Sequence, residues 1–232
     1  MLSKLTALFH GHLPQLIGFD LDGTLVDSAR DLTTSIDRML LELGRTQAGE
    51  DKVRQWVGNG AAMLVARALA DSSDPSAVEQ VETALAEDGL ARFRRIYAEE
   101  NGNLTCLYDG VSEVLEAISG LPVKLALITN KPLVFTQPLL QELGIDGYFQ
   151  LVLGGECLAE KKPHPLPLQH CAQQLGALPE MCLMVGDSRN DIDAAKAAGW
   201  RSVAVSYGYN HGEPVSLCGP DWLVEDFREL LL

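Results

Sequence analysis

The chain has few basic residues for its size, and this shortage limits the partners that it can have. Its 232 residues include 18 lysines and arginines against 32 aspartates and glutamates, which gives a formal net charge of −14 at pH 7. Such a charge argues against nucleic acid or an anionic membrane as a partner. The overall field of the protein would also not attract an anionic substrate. Local positive charge, from a lysine and a metal ion, would have to do so.

Long apolar runs and regular cysteine spacings are absent as well. Nowhere do 18 apolar residues follow one another, so the sequence predicts no transmembrane helix. The segment 1–14 is interrupted by glycine and histidine and lacks the apolar core of a signal peptide. The five cysteines contain no CxxC spacing and are odd in number, which favours free thiols in a reducing compartment. These absences predict a cytoplasmic protein.

What is present is an alternation of strand-like and helix-like segments. The predicted strands are 16–19, 123–129, 149–153, 182–185, 202–205 and 222–224. From about residue 104 onward, helical patterns separate the strands, which predicts βαβ units and a parallel sheet. Between the first two strands the pattern is helical throughout.

The helical stretch after the first strand predicts a second, smaller domain. Its predicted helices are 32–43, 51–57, 61–70 and one long helix, 75–100. We therefore predict an α/β protein with a Rossmann-like parallel sheet in its core domain, residues 1–28 and 104–232. An inserted α-helical domain, residues 29–103, completes the predicted chain.

Two aspartates follow the first predicted strand. Asp20 and Asp22 come directly after an apolar run and before a Gly-Thr pair that ends the strand. Two carboxylates this close are unfavourable unless a cation or a shared proton compensates their repulsion. The pair therefore indicates a metal site or an acid/base site. Just beyond it, Asp27 and Ser28 are interpreted as the N-cap of the following helix.

Three further polar motifs follow in order along the chain. They are LALITNK at 125–131, KKPHP at 161–165 and LMVGDSRND at 183–191. Because ligands bind beyond the carboxyl ends of strands in a parallel α/β sheet, the polar residues that end these strands are predicted to meet in one crevice. Together with DLDGTLVDS at 20–28, the set resembles the four motifs of the haloacid-dehalogenase-like phosphotransferases.

The resemblance implies a magnesium-dependent phosphoryl transfer. Asp20 would be the nucleophile, and Mg²⁺ would be held by Asp20, the backbone carbonyl of Asp22 and Asp187. Asp191, one helical turn after Asp187, is interpreted as holding a metal-bound water. Asp22 would protonate the leaving alkoxide and then take a proton from water. A hydrolytic dehalogenase is disfavoured, because halide needs no proton and Asp22 would have no task.

Four residues are candidates for binding the substrate. Thr129 and Lys162 would hold the phosphate oxygens, and Asn130 would donate its amide to the same phosphate. Lys162 is preferred to its neighbour because it directly precedes a proline, as in the third family motif. Arg67 is a candidate partner for a substrate carboxylate, since it lies two helical turns after Gly60. A solvated arginine on the surface is the alternative at that position.

Features beyond the four motifs resemble the bacterial phosphoglycolate phosphatases within this superfamily. They are WVGNG at 56–60, GDSRNDIDAAKAAG at 186–199 and SYGYN at 206–210. The resemblance implies hydrolysis of 2-phosphoglycolate, a small phosphorylated metabolite as partner, and inserted helices that close over the active site as a cap. A phosphatase for a sugar phosphate such as N-acetylmuramic acid 6-phosphate, a β-phosphoglucomutase-type phosphomutase, a broad-specificity phosphatase and a non-enzymatic binding protein stay open as alternatives.

Overall fold

Six parallel strands form the central sheet of the computed structural model, which describes residues 2–232. The strands of the described chain are β1 Leu16–Phe19, β2 Val26–Asp27, β3 Cys106–Leu107, β4 Lys124–Ile128, β5 Leu151–Leu153, β6 Cys182–Gly186, β7 Arg201–Val205 and β8 Trp222–Val224. Their order in the main sheet is β5-β4-β1-β6-β7-β8. The predicted α/β fold with a parallel sheet is therefore confirmed, and each predicted strand is present within a few residues of its predicted ends.

The register of the three central strands decides where the functional motifs meet. Phe19 of β1 lies opposite Leu127 of β4 and Val185 of β6. Asp20 extends this register, because its N–H donates to the carbonyl of Val185 at 2.9 Å. Since the strands are parallel and end at nearly the same level, the polar residues that follow β1, β4 and β6 lie side by side at one edge of the sheet.

Some of the helices cover the two faces of the sheet, and the others lie above the sheet edge at which the polar residues meet. The helices are α1 Ser3–Ala7, α2 Ala29–Glu42, α3 Glu50–Trp56, α4 Ala61–Ala70, α5 Pro75–Glu79, α6 Thr83–Glu100, α7 Val111–Ser119, α8 Leu133–Glu142, α9 Leu166–Leu175 and α10 Arg189–Ala198. Alternate strand residues point to opposite faces. One set packs with α1, α7 and α8 in one apolar cluster, and the other packs with α9 and α10 in a second. Among residues 2–232, none of the helices combines the length and apolarity that crossing a membrane requires.

Helices α2 to α6, which we call the helical insert, form an apolar core of their own. This core contains Phe93, Ile96 and Tyr97 of α6, and two side chains from outside the insert, Phe135 and Tyr209, join it. Where the insert leaves and rejoins the sheet region, β2 and β3 pair as a short antiparallel ribbon that the sequence pattern did not predict. The proposed domain division, 1–28 with 104–232 and 29–103, stays a prediction.

The predicted long helix 75–100 is wrong, because the structure contains two helices there. α5 ends at Glu79 and α6 begins at Thr83, with extended backbone at Glu82 between them. α5 buries none of its residues, whereas α6 packs against α2 and α4. Val81, in the break, contacts the apolar core of the insert. The apolar spacing of the sequence runs through this break, so it did not reveal that the two segments are separate helices.

Candidate active site

Three buried aspartates meet at the edge of the sheet. Asp20 follows β1, Asp187 follows β6 and Asp191 lies in the first turn of α10. One carboxylate oxygen from each lies within 4.8 Å of the others. The sequence predicted that Asp20 and Asp187 would meet although 166 positions separate them, and the parallel register brings them together.

The electrostatics of this cluster fit a bound cation. Burial raises the pKa of Asp20 to about 6 against the opposing effect of Lys162. Burial and the neighbouring carboxylates of Asp191 and Asp20 raise the pKa of Asp187 well above its usual value. The Oδ1 atom of Asp20 is buried and has the ammonium of Lys162 as its charged neighbour, 2.8 Å away. Hard carboxylate oxygens that repel one another are the ligand set that Mg²⁺ prefers.

Asp187 is fixed in place by its neighbours on the loop after β1 and on the segment after β7. Thr24 donates its hydroxyl to Oδ1 at 3.0 Å, and the backbone N–H of Tyr209 donates to Oδ2. Gly208 has to be glycine, because a Cβ there would lie 2.3 Å from the Cβ of Asp187 and 2.4 Å from the carbonyl oxygen of Gly23. The carboxylate is therefore held in one orientation from both sides.

Lys162 lies between two of the three aspartates. Its Nζ is 2.6 Å from Oδ1 of Asp191 and 2.8 Å from Oδ1 of Asp20, and its side chain is 2% exposed. Burial alone would lower the pKa of Lys162, but the two carboxylates raise it above its ordinary value. The other oxygen of Asp191 accepts from the N–H and hydroxyl of Ser188, at 3.1 and 2.9 Å. Asp191 therefore has both oxygens occupied within the chain and positions the ammonium of Lys162.

Asp22 points away from this cluster. Its Oδ1 accepts from the hydroxyl of Ser28 at 2.6 Å and from Nζ of Lys131 at 3.0 Å. Ser28 occupies the N-cap position of α2 as predicted, but its side chain makes no capping bond, whereas Asp27 accepts from the N–H of Ala29 at 3.2 Å. Two residues on the same turn therefore have different tasks, and Ser28 orients Asp22.

A cavity lies between the sheet edge and the helical insert. The core contributes Asp20, Asp22, Thr129, Asn130, Lys131, Pro132 and Phe135 to its lining. The insert contributes Leu32, Val57, Gly58, Gly60, Ala61, Leu64, Phe93 and Tyr97. The core wall is thus largely charged and polar, and the side chains of the insert wall are apolar apart from the hydroxyl of Tyr97. This is the composition of a site for a small, partly polar molecule.

Thr129 and Asn130 both lie at the cavity, but the structure gives them different partners. Thr129 is buried at the end of β4, and its oxygen accepts from the N–H of Lys131 at 3.2 Å, which leaves its hydroxyl hydrogen free to donate. Asn130 uses its amide group to donate to the carbonyls of Gly58 and Lys162, each at 2.9 Å. The prediction gave that amide to the phosphate. In the structure it joins the core to the loop of the insert.

Arg67 does not reach this cavity. Its guanidinium donates to the carbonyl of Trp56 at 2.7 Å and lines a separate groove with Met63 and His164. The prediction placed Arg67 on the cavity face because it lies two turns after Gly60. The helix instead presents Ala61 and Leu64 to the cavity. The predicted contact with a substrate carboxylate is therefore not present in this geometry.

The sequence pattern did not single out two polar residues of the cavity. Lys131 follows Thr129 and Asn130 in a motif that was interpreted through its first two residues only. Its Nζ donates to Asp22 and also to the hydroxyl of Tyr97. Burial alone would lower the pKa of Lys131, but the Asp22 carboxylate and Tyr97 raise it above its ordinary value. Tyr97 sits at an apolar position of a helical pattern, which gave no signal that its hydroxyl reaches a site.

Comparison with known proteins agrees with this arrangement. A family model for haloacid dehalogenase-like hydrolases matches residues 17–205. The chain belongs to this family. Among members of known sequence, a phosphoglycolate phosphatase of Pseudomonas putida is 49% identical over 230 residues, which cover 99% of this chain and 83% of that protein. A phosphoglycolate phosphatase of Colwellia psychrerythraea is 45% identical and covers 94% of this chain and 96% of its own length.

Solved structures of haloacid dehalogenase-like hydrolases show the same fold. The crystal structure of a predicted phosphoglycolate phosphatase from Haemophilus somnus superposes with a TM-score of 0.87 at 41% identity, covering 94% of this chain and 96% of the other. These similarities confirm the resemblance that the four motifs indicated. The protein is a phosphoric monoester hydrolase of the haloacid dehalogenase-like family, and such an enzyme acts on a small phosphorylated substrate.

Proposed function

We propose that the protein hydrolyses 2-phosphoglycolate to glycolate and phosphate, with Mg²⁺ and through an aspartyl-phosphate intermediate on Asp20. The observation that carries the proposal is that the two aspartates after β1 have different surroundings. Asp20 lies in the acidic cluster beside Lys162, whereas Asp22 points to the cavity. The names of the relatives that cover nearly the whole chain support the choice of substrate.

The first half of the reaction is an attack by the carboxylate of Asp20 on phosphorus. Mg²⁺, when bound by Asp20, Asp187 and the backbone carbonyl of Asp22, supplies charge neutralisation for the dianionic phosphate. Lys162, held next to Asp20 by its ion pairs, neutralises further charge as the phosphoryl group moves. The hydroxyl of Thr129 donates to a phosphate oxygen from the neighbouring strand end.

Asp22 provides the proton that the departing alkoxide needs. Its hydrogen bond from Ser28, at 2.6 Å, holds the carboxyl group at the cavity wall. After the alcohol leaves, the same carboxylate takes a proton from water, which then attacks the phosphorus of the aspartyl-phosphate and releases phosphate. One side chain thus acts as acid and then as base, and Asp20 is regenerated.

The lining of the cavity supports a small acidic substrate over a sugar phosphate. On the insert side its wall includes Leu32, Leu64 and Phe93, and Tyr97 is the one lining residue there with a side-chain hydroxyl. A sugar phosphate would bury several hydroxyl groups, each of which needs a hydrogen bond. A two-carbon acid needs fewer polar partners, so this site supports it better than a sugar phosphate.

The test is a substrate panel with purified protein and Mg²⁺. The panel contains 2-phosphoglycolate, N-acetylmuramic acid 6-phosphate and β-glucose 1-phosphate without a sugar bisphosphate primer. We expect 2-phosphoglycolate to have the highest kcat/KM. The variant Asp20→Asn should lose several orders of magnitude in kcat while it stays folded, and Asp146→Asn, an exposed control, should not. Preference for a sugar phosphate, or turnover by folded Asp20→Asn, would refute the proposal.

A further inference from the structure

Lys131 is a cation in the cavity that the proposed reaction leaves without a task. It is buried in the segment between β4 and α8, two residues after Thr129. Its ammonium has three N–H donors. Within residues 2–232, two of them are used, one by Oδ1 of Asp22 and one by the hydroxyl of Tyr97. The third is available to a ligand in the cavity.

Tyr97 offers a second donor next to that ammonium. Its oxygen accepts from Lys131, so its own O–H hydrogen can be given to another acceptor, and the described chain supplies none. The ring is held by its neighbours, with Phe93 stacked at 5.3 Å and Phe135 edge-on at 5.1 Å between ring centroids. Both donors are therefore fixed before any ligand arrives.

Beyond Asp22, much of the cavity wall around these two donors is apolar. Leu32, Leu64 and Val57 line the same cavity with the two phenylalanines. Donors that face an apolar wall are unfavourable unless an acceptor reaches them. A carboxylate matches them best, because it has two acceptor oxygens and a negative charge for the ammonium.

We propose that Lys131 and Tyr97 form the subsite for a substrate carboxylate that lies one carbon from the phosphate ester oxygen. The inference rests on the proposed function, since it takes Asp22 as the acid that protonates that oxygen. Asp22 must then be within hydrogen-bond distance of the ester oxygen. Lys131 Nζ lies 3.0 Å from the same carboxylate oxygen of Asp22. In a phosphoryloxy acetate the carboxylate carbon is two bonds, about 2.4 Å, from the ester oxygen, which brings its oxygens to Lys131 and Tyr97.

With this subsite, the residues that select the substrate are Lys131 at the sheet edge and Tyr97 on α6. Arg67 on α4 has no part in the selection. It selects short acids whose carboxylate and phosphate share one carbon. A neutral amide in place of the carboxylate offers a single acceptor oxygen and no negative charge, so it cannot accept from both Lys131 and Tyr97 on separate oxygens or pair with the ammonium of Lys131.

The experiment compares 2-phosphoglycolate with its neutral amide, phosphoglycolamide, and measures the ratio of their kcat/KM values. We expect wild type to prefer the acid strongly and Lys131→Met to reduce the ratio by about 100-fold. Tyr97→Phe keeps the ring and removes the hydroxyl, and should reduce the ratio by about 5-fold. Lys124→Met, an exposed lysine at the start of β4, is the matched control and should leave the ratio unchanged.

Several outcomes would overturn the inference. An equal loss on acid and amide in Lys131→Met would show that Lys131 serves Asp22 alone. If Lys131→Met does not fold, an unchanged ratio in Tyr97→Phe decides against the subsite. If the acid-to-amide ratio of kcat/KM falls in Arg67→Ala and not in Lys131→Met, the substrate carboxylate binds at α4 instead. If the wild-type protein hydrolyses sugar phosphates and not 2-phosphoglycolate, the proposed function itself is refuted. If the wild type prefers the acid and Lys131→Met keeps that preference, only this inference is refuted.

Discussion

Asp20 and Asp22 are separated by a single residue, and their carboxylates have different surroundings. Asp20 is buried among carboxylates and next to Lys162, and burial raises its pKa to about 6. Asp22 accepts from Ser28 and Lys131 at the cavity wall. At the residue scale, the two identical side chains thus have different partners, and the proposed function assigns nucleophilic attack to Asp20 and proton donation to Asp22.

A change at Asp22 should therefore affect substrates according to their leaving groups. In Asp22→Asn, phosphoryl transfer from an alkyl phosphate should fall by about 100-fold or more, since general acid catalysis contributes roughly 10²–10⁴. Transfer from p-nitrophenyl phosphate should fall much less, because p-nitrophenolate needs little protonation. Single-turnover measurements isolate this step from hydrolysis of the aspartyl-phosphate. Equal losses for both substrates would contradict the role of Asp22 as acid.

At the scale of elements, the loop between α3 and α4 joins the helical insert to the sheet edge. The carbonyl of Gly58 accepts from the amides of Asn130 and Asn190, at 2.9 and 3.2 Å. Asn59 donates to the side-chain oxygen of Asn190 at 3.0 Å, and Lys161 donates to the carbonyl of Asn59 at 2.7 Å. The loop that lines the cavity is thus held by side chains from three motifs.

Loosening this loop should weaken substrate binding more than chemistry. In Asn190→Ala two hydrogen bonds to the loop are lost, each worth about 1 kcal/mol, so KM for 2-phosphoglycolate should rise by up to about 30-fold. The neighbouring Arg189→Ala removes only an exposed ion pair with Glu213 and serves as control. Steady-state kinetics of both variants measure KM and kcat separately. A loss confined to kcat, with KM unchanged, would argue against a role for this contact in closing the site.

At the scale of the whole molecule, a net charge of −14 surrounds a site that has to receive an anion. Two buried lysines supply local positive charge there, Lys131 at the cavity wall beside Asp22 and Lys162 beside Asp20. The acidic cluster of Asp20, Asp187 and Asp191 adds repulsion that a divalent cation would relieve. Metal binding should therefore also stabilise the fold.

We expect Mg²⁺ to raise the melting temperature of protein stripped with EDTA. At 100-fold excess over Kd the gain should be roughly 5–10 °C, because a ligand that binds only the native state stabilises it by mass action. Asp187→Asn should lose most of this gain, and Asp146→Asn should keep it. Differential scanning calorimetry measures the shift without reference to activity. The same gain in Asp187→Asn and wild type would place the cation elsewhere.

The sequence by itself determined the fold class and the meeting of Asp20 and Asp187. Apolar runs that alternate with helical patterns predict a parallel sheet, and such a sheet has its strand ends on one edge. The position of each motif at a strand end was thus enough to bring residues far apart in the chain into one site. Local pattern sufficed because backbone register, and not side-chain packing, decides these positions.

The tertiary structure alone decided which side chains face the cavity from the insert. Tyr97 and Arg67 both occupy positions of amphipathic helices. The spacing of Arg67 from Gly60 led to the prediction that the arginine faces the cavity. Packing against Phe93 and Phe135 turns Tyr97 towards Lys131, whereas Arg67 points to the carbonyl of Trp56. The rotation of a helix about its own axis depends on the neighbours that it packs against, including neighbours that are remote in sequence. Sequence periodicity identifies the apolar face of a helix but not the partner that this face meets.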